Sequence, residues 1–321
     1  MMKAIVVNEQ RQLIWTDVPE PVLRDDQVII DVHATGVNRA DLFQRDGKYP
    51  SPPGWPPYMG LEVSGVISEA PSNSSWRVGE KVCALLGGGG YAQRVAVPSG
   101  LVLSAPANLP LEQAAALPEV FATAYLNLVI EAGLKSGETV FIQAGASGVG
   151  IAAIHLAMAI GAKVVTSVGS EEKAKFLRQL GADVVINRKT TDIASVLKEH
   201  PIDVALDCVA GPSLGSYLEC MSTHGRWVII STLGGERAEL PLRTILRRGL
   251  KIFGSTLRSR SDQEKSDILF RLESEIWPRI EQGQIAPVIY KMLPLEKAEE
   301  AHAILRDSKN TGKVILTQKL A

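Results

Sequence analysis

Cysteine is scarce in this chain. Cys83, Cys208 and Cys220 stand far apart and form neither a CxxC pair nor the close, even set of a disulfide framework. Their spacing excludes a zinc knuckle and predicts a reducing compartment, read as the cytoplasm. Histidine is scarce too. His33, His155, His200, His224 and His302 fall singly on separate segments, so no metal site is expected. An excess of either charge is missing: 34 basic residues face 35 acidic ones, for a net charge of −1, and aromatics make up only 5%. Without a basic and aromatic cluster, neither nucleic acid nor an anionic membrane is an expected partner. No apolar stretch reads as long enough and uncharged enough to cross a bilayer. The opening run Met1–Val7 stops at Asn8 and Glu9 and reads as a first strand, not a signal peptide. Repeats and low-complexity tracts are absent.

What is present is ample apolar material, 45% of 321 residues, enough for two domains. Up to about residue 110 the pattern is of short β-rich runs: Lys3–Val7, Val28–Val32, Val63–Ile67, Lys81–Leu85 and Gln93–Val97. Gly/Pro turns separate them, as in a compact barrel-like domain. The segment Tyr49–Tyr58 holds so much proline that it must be a stiffened loop. Helices are predicted at 111–117 and 121–131. From 138 the pattern alternates. Strands are predicted at 139–143, 163–168, 183–187, 202–208, 226–231 and 251–255, with helices at 148–160, 171–180, 190–199, 212–222 and 242–249. That alternation predicts an α/β fold with a doubly wound, parallel, six-stranded sheet of Rossmann type. After 258 come a helix at 262–282, a strand at 288–292, a helix at 295–306 and a last strand at 313–317, which can return to the first domain.

The centre of the chain is Gly145-Ala-Ser-Gly-Val-Gly150, set between the apolar run Val140–Ile142 and the helical pattern from Ile151. A strand, a small-residue turn and a helix make a pyrophosphate site, because the helix N-terminus attracts anions and small residues let phosphate reach backbone N–H groups. Gly145, Ser147, Gly148, Val149 and Gly150 are therefore candidate cofactor contacts. The middle glycine of the dinucleotide fingerprint is replaced by Ser147, whose hydroxyl could donate to a phosphate.

An acidic residue at the tip of the second strand would select NAD through the ribose hydroxyls. Lys163–Val168 ends instead in Gly169-Ser170. Ser170, Lys173 and Arg188 are candidate partners of a 2′-phosphate, which favours NADPH; as an alternative, Ser170 simply caps the helix and the cations are surface charges.

Gly36-Val-Asn-Arg-Ala-Asp41, Gly60-Leu-Glu-Val-Ser-Gly65, Ala116-Leu-Pro-Glu-Val-Phe-Ala-Thr123 and the glycine turn resemble the medium-chain dehydrogenase/reductase superfamily, in its zinc-free NADPH:quinone oxidoreductase branch. Gly225–Val228, Thr256–Arg260 and Asn310–Val314 resemble the subgroup that includes the tumour-suppressor-inducible quinone oxidoreductase. The resemblance implies a GroES-like β-barrel catalytic domain from 1–120 and 258–321, and a Rossmann NADPH domain from 121–257. It also implies a quinone bound in a cleft between them. Zinc relatives carry cysteine where this chain has Asn38 and histidine where it has Leu61, which implies metal-free hydride transfer to an already electrophilic acceptor.

By the same resemblance Asn38, Asp41 and Tyr49 are candidate catalytic residues. Asn38 would donate to an oxyanion, Tyr49 would contact the substrate or deliver a proton, and Asp41 would either line the cleft or organise its loop. Glu62 would be a structural hydrogen-bond acceptor behind the site. Thr123, Leu233, Gly234, Gly235, Leu257, Arg258 and Asn310 complete the implied cofactor contacts. Arg188 stands where subgroup members carry tyrosine. Reduction of an enone or enoyl-thioester double bond is the alternative enzymatic reading, and a non-catalytic NADPH-binding sensor or structural protein is a third. A homodimer is expected, joined at the edge formed by Lys251–Ser255.

Overall fold

β-branched residues crowd the interrupted runs at the start of the chain, and these form strands. The structure, a computed structural model, describes residues 1–318. β1 (Met2–Val7) and β2 (Leu13–Val18) make an antiparallel pair. β3 (Gln27–Val37) leads into the short helix α1 (Arg39–Arg45). β4 (Glu62–Glu69), β5 (Lys81–Leu85), β6 (Arg94–Pro98) and β7 (Val102–Ser104) follow, and then α2 (Leu111–Ala114). α3 (Pro118–Tyr125) begins on a proline, which suits a first helical turn because its missing N–H would lack a partner there anyway.

Two compact units result. One takes residues 1–122 together with the chain from Arg258 onward; the other is Thr123–Leu257. In the second unit the chain runs β8 (Thr139–Ile142), α4 (Gly148–Ile160), β9 (Lys163–Val168), α5 (Glu171–Leu180), β10 (Val184–Asn187) and α6 (Ile193–Glu199). It continues through β11 (Ile202–Asp207), α7 (Leu214–Leu218), β12 (Met221–Ile229), α8 (Leu242–Arg248) and β13 (Lys251–Gly254). The six strands are parallel in the order β10-β9-β8-β11-β12-β13, so the order reverses between β8 and β11. Gly161 and Gly181 end α4 and α5 in the left-handed conformation, as helix-ending glycines do. Phe141, Val165, Leu197, Ala205, Leu218 and Trp227 are the centre of this unit's core.

The chain then re-enters the first unit through α9 (Asp262–Glu281), β14 (Ile289–Pro294), α10 (Ala298–Arg306) and β15 (Lys313–Thr317). Its main sheet runs β14-β15-β3-β4-β5-β7, with β6 also paired to β3. Ile5, Leu42, Met59, Tyr91, Ile304 and Val314 are buried together between this sheet and α10.

The α/β class and the parallel six-stranded sheet are those expected. Several local expectations need correction. β2, β7 and α1 have no counterpart in the sequence reading. α7 is only five residues long, because β12 starts at Met221, where a helix was expected. Met221 pairs with Ile202, and the register then shifts across Ser222–Gly225, where His224 has φ 62°. The helix expected at 121–131 starts at Pro118 and ends in a π-helical turn, Leu126–Glu131. By length and composition Leu111–Glu131 is apolar enough to cross a bilayer, contrary to expectation. In the fold it is broken by turns at Ala115–Leu117, and 72% of its most apolar window is buried.

Candidate active site and cofactor platform

In the Thr123–Leu257 unit the glycine turn joins β8 to α4. Gly145 N–H bonds to the Ser167 carbonyl at 3.0 Å, tying the turn to the β9 tip. A Cβ on Gly145 would collide with Thr166 Oγ1, and one on Gly150 would lie 2.6 Å from the Ala144 carbonyl. These two glycines are thus explained by close helix–sheet packing. Ser147 has an ordinary extended conformation (φ −74°, ψ 165°), so serine is tolerated at this position of the fingerprint. Its Oγ caps α4 by accepting from Gly150 N–H at 3.0 Å, which leaves the hydroxyl proton able to donate outward. Ser147, Gly148 and Val149 are half-buried, and the N–H groups of Gly148 and Val149 head the helix without intrahelical acceptors.

At the β9 tip, Ser170 caps α5 by accepting from Lys173 N–H at 3.3 Å. Arg188 follows β10, and its N–H bonds to the Val168 carbonyl at 3.0 Å. Its guanidinium covers Gly169, 3.3 Å from where a Cβ would stand. Lys173 is held below the ordinary lysine range, first by burial and then by the charge of Arg188, against the opposing effect of Glu172. Glu171 is drawn away by Arg178 at 2.7 Å. Ser170, Lys173 and Arg188 therefore stand together at one strand tip, and like charges held this close favour an anion between them.

Leu233, Gly234 and Gly235 follow β12 and are largely exposed. Gly234 N–H bonds to the Val209 carbonyl at 2.7 Å, and Gly235 bridges to Ala210. Thr123 lies in α3, its carbonyl accepting from the Asn127 side chain at 2.7 Å, and Leu257 is buried.

In the first unit Asn38 lies between β3 and α1. Its Nδ2 donates to Glu62 Oε1 at 2.9 Å and to the Gly36 carbonyl at 3.3 Å, while its Oδ1 accepts from Lys313 Nζ at 2.8 Å. Both amide hydrogens are engaged, so the expected oxyanion donor has none to offer in this arrangement. Glu62 is a buried acceptor, taking in addition the Glu119 N–H at 2.9 Å. Asp41 is fully buried. It accepts from Asn38 N–H at 2.7 Å, Gly60 N–H at 3.2 Å and the Tyr91 hydroxyl at 3.1 Å. Of the two roles read for it, this geometry is that of a loop organiser.

Tyr49 is half-buried. Burial first, and then the charge of Glu119, raise its phenol, against the opposing effect of Arg258. Arg258 bonds to the Tyr49 carbonyl (3.1 Å), the Gly87 carbonyl (2.6 Å) and Gln44 Oε1 (2.9 Å). Gln44 in turn holds Ser51 and Pro57. The proline loop is thereby clamped. Asn310 closes the turn before β15 through the Gly312 carbonyl at 2.7 Å. Gln44 and Lys313 were missed from sequence; a glutamine inside a short helix and a lysine opening a strand carry no local signal. Among the described residues no group of three or more His, Cys, Asp or Glu side chains could hold a metal ion.

A sheet unit of this connectivity and a Rossmann-type sheet in one chain define a medium-chain dehydrogenase/reductase. Residues 24–107 match the alcohol dehydrogenase GroES-like domain and residues 148–271 match the family described as zinc-binding dehydrogenase. The chain is 34% identical to the pig (Sus scrofa) quinone oxidoreductase, over 94% of this chain and 92% of that one. The quinone oxidoreductase of Thermus thermophilus, solved alone and in complex with NADPH, is similar in structure. Its TM-score is 0.84 and its identity 30%, over 99% of this chain and 100% of that one. The JamJ enoyl reductase, in its apo form, gives a TM-score of 0.87 at 25% identity, over 99% of both chains. The chain belongs to the quinone oxidoreductase family of the medium-chain dehydrogenases/reductases, and it is an oxidoreductase.

Proposed function

We propose that the protein is an NADPH-dependent quinone oxidoreductase that works without a metal. The observation that carries the choice of cofactor is the meeting of Ser170, Lys173 and Arg188 at a β9 tip that lacks an aspartate or glutamate. Ser147, Gly148 and Val149 would receive the pyrophosphate at the head of α4, and the Lys173 and Arg188 cations the 2′-phosphate. When bound, the nicotinamide supplies a hydride. Tyr49, whose phenol carries its proton at neutral pH as any tyrosine does, is the group we assign to deliver a proton to the reduced acceptor. Asn38 and Asp41 position the loop that carries it. The metal-free reading rests on donor chemistry: Asn38 has its amide committed to Glu62 and Lys313, and Leu61 offers no ligand atom.

Thr123, Leu233, Gly234, Gly235, Leu257 and Asn310 stay as proposed cofactor contacts. A cytoplasmic homodimer, with no nucleic-acid or membrane partner, completes the reading. It is supported by the open edge of β13, by the wide spacing of the three cysteines and by balanced charge. The likeness to an enoyl reductase favours, as a second reading, reduction of an enone or enoyl-thioester double bond.

Following the loss of NADPH and NADH absorbance with panels of quinones and enones tests both readings. Faster oxidation of NADPH with quinones supports the first, and turnover of enones alone the second. Equal rates with NADH would overturn the assignment at the β9 tip. Light scattering at micromolar concentration checks the dimer, and a monomer mass would sink it.

A further inference from the structure

Asp207 ends β11 with no exposed surface, immediately beside the point where the sheet order reverses. A buried carboxylate needs strong compensation. It is given by N–H groups from three places. Gln143 Nε2 donates to Oδ1 at 2.8 Å from the end of β8. Trp227 Nε1 donates to Oδ2 at 2.9 Å from β12. The Val209 and Ala210 N–H groups turn back onto Oδ1 at 2.7 and 2.8 Å. Burial still holds the carboxyl above the usual range, although the Ala210, Val209 and Trp227 donors oppose it.

The two N–H bonds to its own following residues bend the chain sharply. Ala210 has φ 52°, a conformation that alanine rarely adopts. The bent segment is then fastened to the next tip. Gly234 N–H reaches the Val209 carbonyl at 2.7 Å, Leu233 N–H reaches the Cys208 carbonyl at 3.4 Å, and Ala210 bridges to Gly235. The fit is close: a Cβ on Gly211 would lie 2.6 Å from the Gly234 carbonyl, and one on Gly234 would lie 2.8 Å from Val209 Cγ1. Segments 208–211 and 233–235 are one joined platform hung from Asp207.

In an open parallel sheet a dinucleotide lies across the carboxyl ends of the strands, with its pyrophosphate at the switch point. The adenosine half falls on the β9 side. The other half must fall on the side of β11 and β12, which is where this platform stands.

We propose that Asp207 is a positioning residue for the dinucleotide, fixing the joined tips of β11 and β12 as the support for the nicotinamide half. This rests on the dinucleotide reading above. It makes a prediction that general destabilisation does not: loss of Asp207 weakens one half of the ligand's contacts and spares the other.

The test is calorimetric titration of the full chain with NADPH and, separately, with adenosine 2′,5′-bisphosphate, which lacks the nicotinamide half. In Asp207→Asn an amide N–H must face one of the N–H donors. We expect its Kd for NADPH to rise about tenfold, the loss of roughly one charge-assisted hydrogen bond. Its Kd for the bisphosphate should stay within about twofold of wild type on the same scale. Should Asp207→Asn fail to fold, Gln143→Met carries the test, because it removes one donor to the Asp207 carboxylate and touches neither joined tip; the same selective loss is expected. Equal weakening of both ligands, or no weakening of either, overturns the proposal. Failure of the wild-type protein to bind either ligand instead overturns the dinucleotide reading beneath it.

Discussion

The Lys313 ammonium lies 2.5 Å from Glu62 Oε1, with the two side chains 5% and 0% exposed. The pair joins β15 to β4 across residues distant in sequence. It is completed by Asn38, which gives an N–H to Glu62 and takes one from Lys313. Gly36 is required beside it, since a Cβ there would run into the Glu62 carboxylate. Lys313→Met leaves a buried carboxylate without its cation, which should destabilise the first unit by about 3–5 kcal/mol. The double variant Lys313→Met/Glu62→Gln should recover part of that loss. Thermal or denaturant unfolding of the single and double variants reads the coupling, and simple additivity would count against the pair acting as a unit.

Arg258 provides a second test. Its guanidinium lies 4.5 Å from the centre of the Tyr49 ring and bonds to the carbonyls of Tyr49 and Gly87 and to Gln44. Lysine cannot supply that planar set of donors. Arg258→Lys should therefore loosen the proline loop and raise the acceptor KM by about tenfold, equivalent to roughly one charge-assisted hydrogen bond. NADPH affinity should stay within about twofold. A selective loss of NADPH affinity would instead make Arg258 the cofactor contact expected from sequence.

How far the sequence carried the reading differs between the two units. In the second unit short apolar runs such as Val140–Ile142 and Val184–Ile186 mark buried parallel strands, and glycines mark the ends of α4 and α5, so most strands and their tips could be read directly. Ser170, Lys173 and Arg188 could be grouped in advance because they sit at the tips of successive strands, which do pair in parallel here. Asp207 escaped notice because two of its donors, Gln143 and Trp227, come from the segments of β8 and β12, whose closeness to β11 no local pattern encodes. The first unit was harder. Its sheet mixes strands from both ends of the chain, and Asn38, Glu62 and Lys313 meet only through that pairing. The amide of Asn38 looked available until its two partners were in place.

The paired cations give a third prediction. Lys173→Met and Arg188→Met each remove one charge from the proposed 2′-phosphate site. Each should raise the NADPH Kd about tenfold while leaving NADH within about twofold, and the effect on NADPH should weaken with salt. Titration with both nucleotides at two ionic strengths measures this. Equal effects on NADH would show that the cations serve only the fold.

Acidity separates two buried groups that share one hydrogen-bond chain. His302 Nε2 lies 3.2 Å from the Tyr91 hydroxyl, which donates to Asp41 at 3.1 Å. Burial first, and then Arg45 and Arg306, push His302 from 6.5 to about 3. Burial raises Asp41 from 3.8 to about 6, against the N–H groups of Asn38 and Gly60, the Tyr91 hydroxyl and the charge of Lys313. The signs oppose. The unfolded chain binds the His302 proton more readily, so stability from that group is lost as pH falls from 6.5 towards 3. The folded chain binds the Asp41 proton more readily, so stability from that group is lost as pH rises from 3.8 through about 6. Between about pH 4 and 6 the two slopes, about 1.4 kcal/mol per pH unit each, should nearly cancel. Replacing His302 by phenylalanine removes one of them. The stability of His302→Phe relative to wild type should therefore improve by a few kcal/mol between about pH 6.5 and 4, roughly 1.4 kcal/mol per pH unit. Urea unfolding across that range checks the slope, and parallel curves for the two proteins would mean that His302 is not held neutral by the fold.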